Sequence, residues 1–511
     1  MTIQTNNAQN IGQITSCITK KPNLTGKIKS KLLTTRIKSN TNINNNINFI
    51  YVTDSNNASN IKENPLNTKH SELYCTEDIS DLNSTFPLFF QNIDKIYIPK
   101  KSKRHLEKCI PIEYLRAIDN NTDIAIEKCL ILLSNLSSTI YSENKWKELS
   151  SRIMDLQTKK GKDNTIIYSK IIKALKYCTN TTDALIQIKT NGLGNETYQE
   201  GIVCKSYSLT NTYYNSGLVE YSIKDKDILQ KRNEFFYSQL NKAQTNIIAN
   251  NLIGLYSKIE LPTLDDLKIE AKKLVKAKHK TKKGKILTFL NKHNKSYFKD
   301  ASSRSFVEEN IKLFEFLTKR SFLIPIIGDE KSGGRVVDSF TLMPSWIRNQ
   351  LKIDDEPIVE VDYKALHPNI AMTIYGGSKK YITHEIVANE TNYKKEDVKI
   401  EHLSFFNKTQ RDMRSSILYK YYESSEPQML NAIVQDKWSS NKKHKITSMK
   451  FFAKEVEIMT ECIRLLNAEG INVGYVYDAL FCKKSDAEKV KSIMDKVVLQ
   501  CNVYTTAQIN Y

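Results

Sequence analysis

The 511-residue sequence predicts an α+β protein, on three observations. Two short runs, 358–362 and 473–477, are dense in β-branched and aromatic residues and have the character of buried strands. Around them, apolar residues recur at helical spacing, most clearly at Phe452, Val456, Met459, Ile463 and Leu466. Residues 86–325 carry mostly helical patterns as well, so strands and helices concentrate in different parts of the chain.

In chain order, residues 1–85 are rich in Asn, Thr, Ser and Lys and poor in aromatics. Such a segment buries too little apolar surface to order itself, and it reads as a disordered basic tail. It has no acidic residue before Asp54, which faintly resembles an organellar targeting segment. AT-rich codon usage gives the same composition. Residues 86–225 form a mostly helical N-terminal module, with helices over 123–136 and 166–178 and a strand-like, turn-rich stretch at 192–221. Residues 226–325 continue with a helix over 226–252. A lysine-packed segment then spans 268–299, including Lys272, Lys273, Lys276, Lys280, Lys282 and Lys283. Nearly all its charges share one sign, and Leu274, Ile286, Leu287 and Leu290 sit at amphipathic intervals. The segment therefore reads as a helix or helix–loop that grips a phosphate backbone, against the plainer reading of a solvated face.

Residues 326–511 alternate strands and helices. A strand at 358–362 leads into a helix over 366–375 that ends at Gly376-Gly377. A helix follows over 408–422, then a long one stopped at Gly470. The strand 473–477, a turn at 483–486 and a helix over 487–498 complete the order. There is no internal repeat.

The net charge of +20 and the sequence pI near 9.2 favour a polyanionic partner, nucleic acid before an anionic membrane surface. No apolar run of membrane-spanning length is evident, and no membrane partner is expected. The nine cysteines are scattered without a CxxC pair, as isolated thiols in a reducing compartment would be, and no zinc-site spacing occurs. A cytoplasmic location is expected, with a mitochondrial one as the weaker alternative.

Each of the two strand-like runs carries an aspartate, Asp362 in Ile358–Asp362 and Asp478 directly after Tyr477. A buried carboxylate is costly unless it is paired or binds metal. Two such acids brought side by side would repel each other, and a divalent cation would relieve that repulsion. The alternative for either one alone is a salt-bridged strand residue.

The order of motifs resembles the palm of family A DNA polymerases and their single-subunit RNA polymerase relatives. Gly334-Arg335-Val336-Val337-Asp338-Ser339, then Pro344 and Arg348, precede Asp362-Tyr363, as Thr-Gly-Arg-Leu-Ser-Ser and a proline-containing segment precede motif A. The string Asp362-Tyr363-Lys364-Ala365-Leu366-His367-Pro368 is also similar to the motif A of family B. Tyr477-Asp478-Ala479 stands where family A has His-Asp-Glu, so the third acid is replaced by Ala479. The stretch 408–422 resembles the nucleotide-binding helix, with Arg414, Leu418 and Tyr422 at its Lys, Phe and Tyr positions.

The resemblance covers roughly the last third of the chain. It implies a right-hand fold with an antiparallel-sheet palm and helical fingers and thumb, the palm and fingers falling in 326–511 and a thumb-like region in 226–325. It also implies a template-directed nucleotidyltransferase, foremost a DNA-directed DNA polymerase of a phage, plasmid or other mobile element, extending a 3′-hydroxyl by a two-metal mechanism. Asp362 and Asp478 would hold two Mg²⁺ ions, with Mn²⁺ as substitute, helped by the Tyr363 backbone carbonyl. Lys408, Arg411 and Arg414 would share a helical face for the triphosphate, or form a basic surface stripe. His367, five residues after Asp362, would stand at the sugar-discriminating position or merely begin a helix. Arg335 would contact template or primer backbone, or cap a turn. Tyr422 would pack on the nascent pair, or be a core aromatic.

The implied partners are a DNA primer-template and dNTPs, with RNA as the alternative. A single-subunit RNA polymerase or primase, and a catalytically degenerate nucleic-acid-binding protein, remain as competing readings. No 3′→5′ exonuclease is expected, because no exonuclease-like acidic pattern precedes residue 325.

Overall fold

The computed structural model describes residues 93–510, apart from 142–143, 150, 159–166, 181–182, 192, 197–204, 282–283, 291–302, 320–322 and 379–380. The expected tail over 1–85 therefore lies outside the described residues, as do Lys282 and Lys283. The architecture is mixed α and β, with antiparallel sheets and many helices.

Two hydrophobic cores meet in a single helix. The first is built on strand β1 (Lys95–Pro99) and helix α1 (Thr122–Ser137). β1 pairs antiparallel with β2 (Leu218–Ser222), placing Ile96 opposite Tyr221 and Ile98 opposite Val219. α1 packs across β1 and buries Leu130, Ile131, Leu132 and Leu133 completely. With its extension to Tyr141, α1 is long and apolar enough to cross a membrane by length and composition, which corrects the expectation that no such run exists. Its apolarity is that of a central core helix, and its two buried charges are matched. Lys128 donates to Asp119 at 2.9 Å, and Glu127 accepts from the Tyr221 hydroxyl and from the backbone N–H groups of Lys224 and Asp225.

Helix α2 (Lys226–Gln244) places Ile228 and Leu229 against the first core and Leu240 and Ala243 in the second. The single helix expected over 226–252 is in fact two. The Asn246 side chain accepts from the Ala249 N–H at 3.0 Å and starts α3 (Ile247–Tyr256) as an N-cap. The second core then runs on without a division at residue 325. β3 (Ile259–Glu260) is an edge of the main sheet, and Asn251 on α3 exchanges two hydrogen bonds with the backbone of Val473. After β3, α4 (Leu264–Lys276) opens with a Thr263/Asp266 capping box and buries Leu267 and Ala271. A short parallel pair follows, β4 (Ile286–Thr288) with β5 (Arg304–Phe306).

The main sheet runs in the order β8 (Gly474–Val476), β9 (Ala479–Lys483), β7 (Glu356–Tyr363), β6 (Lys352–Ile353), β3, with β10 (Ala507–Asn510) also on β7; every pairing is antiparallel. β6 and β7 join through a two-residue turn in which Asp354 and Asp355 both have positive φ (49° and 66°), the turn whose twist suits a hairpin. Side chains alternate along β7, and Val359, Val361 and Tyr363 point into the core. That face is covered by α10 (Ile446–Ala468) and α11 (Ala487–Gln500), and the Tyr363 hydroxyl donates to the Met494 carbonyl at 2.8 Å.

Beneath β8, Arg348 is buried. It donates to the carbonyls of Phe340, Thr341 and Met343 and lies over the Phe340 and Phe481 rings. Burial draws its pKa down to about 10. Asp338 is buried beside it, accepting from Tyr256 and Thr341. Both motif residues are thus parts of the sheet's support.

After β7, helix α5 (Leu366–Tyr375) stops at Gly376 in the left-handed conformation, φ 73°, where the sequence places its end. Helices α6 (Lys395–Phe405), α7 (Gln410–Arg414), α8 (Ile417–Ser425) and α9 (Pro427–Ser439) follow. The continuous helix expected over 408–422 is broken here. The Thr409 side chain caps α7 and the Ser416 side chain caps α8, so the Ser415-Ser416 pair ends one helix and starts the next.

Candidate functional site: two strand-borne acids and a buried carboxylate clamp

In the β7–β9 ladder Asp362 stands directly opposite Ala479. Residues facing each other across an antiparallel ladder have Cα atoms about 4.5–5.5 Å apart, and Asp478 is the next residue along. The second apolar run is a hairpin, not one strand. Val476 pairs with Ala479, and Tyr477-Asp478 forms the two-residue turn between β8 and β9. Asp478 therefore stands at the tip of a turn beside the end of β7, and both acids are half-buried. Ala479 is 2% exposed, so the position of the absent third acid is buried, on the same face of the sheet as Asp362.

Tyr477 occupies that turn with φ 59°, an unfavourable conformation for a bulky L-residue that glycine would adopt without strain. Strain of this kind persists only where the surroundings hold it, and it gathers at functional sites. The Arg335 guanidinium supplies part of that support. It lies 4.5 Å from the Tyr477 ring centre on one side and 3.7 Å from that of Phe452 on the other.

Arg335 is in turn fixed by Glu455, a residue the sequence reading missed. Its Nε donates to Glu455 Oε1 at 2.7 Å and its Nη2 to Oε2 at 2.5 Å. His367 Nε2 bonds to the same Oε2 at 2.8 Å. The Glu455 side chain is fully buried on α10. Burial pushes its pKa up, but the bonds from His367 and Arg335 outweigh that and hold the carboxyl below its ordinary value. A sequence signal for it existed. Phe451, Ile458 and Cys462 bury one stripe of α10, and Glu455 occupies a position within that stripe, where a carboxylate needs partners.

The loop before Arg335 is shaped to deliver it. Gly333 has φ 65°, and a Cβ there would meet the Ala453 nitrogen and the Phe452 carbonyl carbon at 2.4 Å. Only glycine lets this loop lie directly on the backbone of α10.

The nucleotide-binding expectations fare differently. Lys408 lies before the α7 cap and pairs with Glu401, so it does not share a helical face with Arg411 and Arg414. Those two arginines are exposed on α7. Tyr422 is fully buried. It stacks on Phe405 and its hydroxyl is 2.8 Å from His402 Nε2, so it is a core aromatic with no surface for a base pair. On α4, Lys272, Lys273 and Lys276 are exposed, Lys273 with Glu270 3.3 Å away, and Lys280 is exposed in the following loop.

No family model matches the chain, and no curated protein matches it. Among solved structures it is similar to the POL domain of Pol1 from M. smegmatis in complex with DNA primer-template and dNTP, at TM-score 0.34 and 8% identity, over 56% of this chain and 73% of that one.

The donor set at the turn suits a hard divalent cation. One carboxylate on β7, one in the adjacent β8–β9 turn and a backbone carbonyl at Tyr363 offer oxygen only. Mg²⁺ is held typically by one or two carboxylates, with water and substrate phosphate completing its shell. Among the described residues no cluster of three or more His, Cys, Asp or Glu side chains offers an alternative metal site.

Proposed function

We propose that this chain is a template-directed nucleotidyltransferase, specifically a DNA polymerase that extends a 3′-hydroxyl with dNTPs. The observation that carries the reading is the register of β7 and β9, which sets Asp362 beside Asp478 at the end of an antiparallel sheet. In the right-hand description the sheet is the palm, α6–α9 the fingers, and α2–α4 the thumb-side helices.

Asp362, Asp478 and the Tyr363 carbonyl would hold two Mg²⁺ ions, or Mn²⁺ in their place. When bound, such a pair activates the attacking hydroxyl and neutralises the pyrophosphate leaving group. The protein's own contribution is position. The ladder fixes one acid and the strained turn fixes the other, so the site is ordered before substrate arrives. Arg411 and Arg414 offer exposed guanidinium groups for triphosphate oxygens. The exposed lysines of α4 offer charge to the duplex backbone.

Primer extension on a primed DNA template, with each dNTP and each rNTP, tests the reading. Wild type is expected to incorporate dNTPs, and Asp362→Ala and Asp478→Ala to lose on the order of 10³-fold in rate, about 4 kcal/mol of transition-state stabilisation. Incorporation that survives both substitutions would refute it.

A further inference from the structure

The two acids arrive from different directions. Asp362 is the next-to-last residue of β7, and the chain runs on within five residues to His367 on α5. Asp478 sits in a hairpin turn whose Tyr477 leans on Arg335. The β7–β9 ladder ends at the Asp362–Ala479 pair; past it, β7 and Lys364 are held on the other side by β10 and Thr506, while the Asp478 turn projects beyond the pairing. Glu455 reaches both flanks, the first through His367 and the second through Arg335, which lies against Tyr477. One carboxylate, wholly buried on the long helix α10, takes the Arg335 fork through both oxygens and His367 Nε2 through Oε2. The aromatic residues of α10 complete the seat, Phe452 beneath the guanidinium and Phe451 and Phe452 each 5.8 Å from the imidazole ring.

We infer that Glu455 is a positioning residue for the cation site, clamping the segment after Asp362 and the turn bearing Asp478 to one helix so that the two carboxylates keep a cation-sharing separation. The inference rests on the proposed role of those acids. Glu455 is separated from Asp362 by α5 and from Asp478 by Arg335 and Tyr477, so it acts through other residues. Outer residues that orient ligands affect metal affinity strongly when changed.

Mn²⁺ binding to the full-length protein, followed by electron paramagnetic resonance without nucleotide, tests this independently of turnover. Asp362→Ala and Asp478→Ala are expected to abolish binding. Glu455→Gln, which keeps the side-chain shape and an oxygen acceptor, is expected to weaken it about tenfold. Arg335→Lys and His367→Asn are expected to weaken binding as well, and less than additively when combined with Glu455→Gln.

Thermal unfolding shows whether each variant is folded. Should Glu455→Gln fail to fold, Arg335→Lys and His367→Asn decide the matter in its place. Wild-type affinity in the folded clamp variants, beside lost binding in the aspartate variants, would overturn the clamp and leave the cation site standing. Unchanged or absent Mn²⁺ binding across wild type and the aspartate variants would remove the cation site, and the clamp with it.

Discussion

Asp362 and Asp478 are neighbours across a β ladder although 115 residues separate them in the chain, because Asp362 pairs with Ala479, the residue that follows Asp478. Under the proposed cation site, the two carboxylates would bind a divalent cation together. Adding Mg²⁺ is therefore expected to raise the unfolding temperature of wild type, by an amount corresponding to about 1.4 kcal/mol at ten times the dissociation constant. Asp362→Asn and Asp478→Asn are each expected to lose that response. Differential scanning fluorimetry with and without Mg²⁺ checks it, and an equal shift in the variants would place the cation elsewhere.

Gly333 and Gly334 both have positive φ but differ in their surroundings. At Gly333 a Cβ would strike the backbone of α10 at 2.4 Å, whereas at Gly334 the nearest atom is Val456 Cγ1 at 3.9 Å. Gly334→Ala is expected to cost about 1–2 kcal/mol, the left-handed penalty alone. Gly333→Ala is expected to cost about 3 kcal/mol or more, because overpacking is added to it. Urea denaturation of the two variants measures the difference, and equal costs would mean that the loop does not press on the helix.

His402 lies under Tyr422, and its Nδ1 is 3.1 Å from both His384 Nδ1 and the Val398 carbonyl. Burial draws the His402 pKa down to about 3 from the ordinary 6.5, with the neighbouring His384 adding to the effect. The folded protein keeps this imidazole neutral, while the unfolded chain takes up a proton below pH 6.5. Its contribution to stability is thus complete above pH 6.5 and is lost as pH falls toward 3, by at most about 1.4 kcal/mol per pH unit. His402→Gln is expected to flatten the acid limb of a stability–pH curve measured by urea unfolding. A limb of unchanged slope would exclude His402 as its source.

Lys272, Lys273 and Lys276 lie exposed on α4, whose opposite side buries Leu267 and Ala271. Each lysine that meets a phosphate on duplex DNA contributes about 0.9 to the slope of log affinity against log salt. Replacing all three with alanine is expected to reduce that slope by about 2–3 while leaving the unfolding temperature unchanged. Fluorescence anisotropy with a labelled primer-template across a salt series checks this. An unaltered slope would assign the lysines to a solvated face.

Much of the helical and strand order was legible because it depends on local patterning. The helix 366–375 and its glycine stop were readable from apolar spacing and a terminal Gly376, and so was the strand ending at Asp362. Boundaries set by a single polar side chain were not. Asn246 and Ser416 each end what the apolar period would continue, because a side-chain cap competes with the next helical turn. Tyr422 and Arg414 occupy similar spacings in the same pattern, yet one is buried under His402 and the other is exposed, a distinction that period alone does not carry.

The sequence by itself determined which residues could bear chemistry: two aspartates in apolar runs, and a glycine–arginine turn ahead of them. Tertiary structure alone decided that the second run folds back as a hairpin and that the turn bearing Asp478 lies beside the end of the strand carrying Asp362. It also decided that Arg335 is held by Glu455, a charge set in the buried stripe of a helix. Such a charge is stable only when its partners come from distant segments, and their meeting depends on strand register and loop packing that no local pattern encodes.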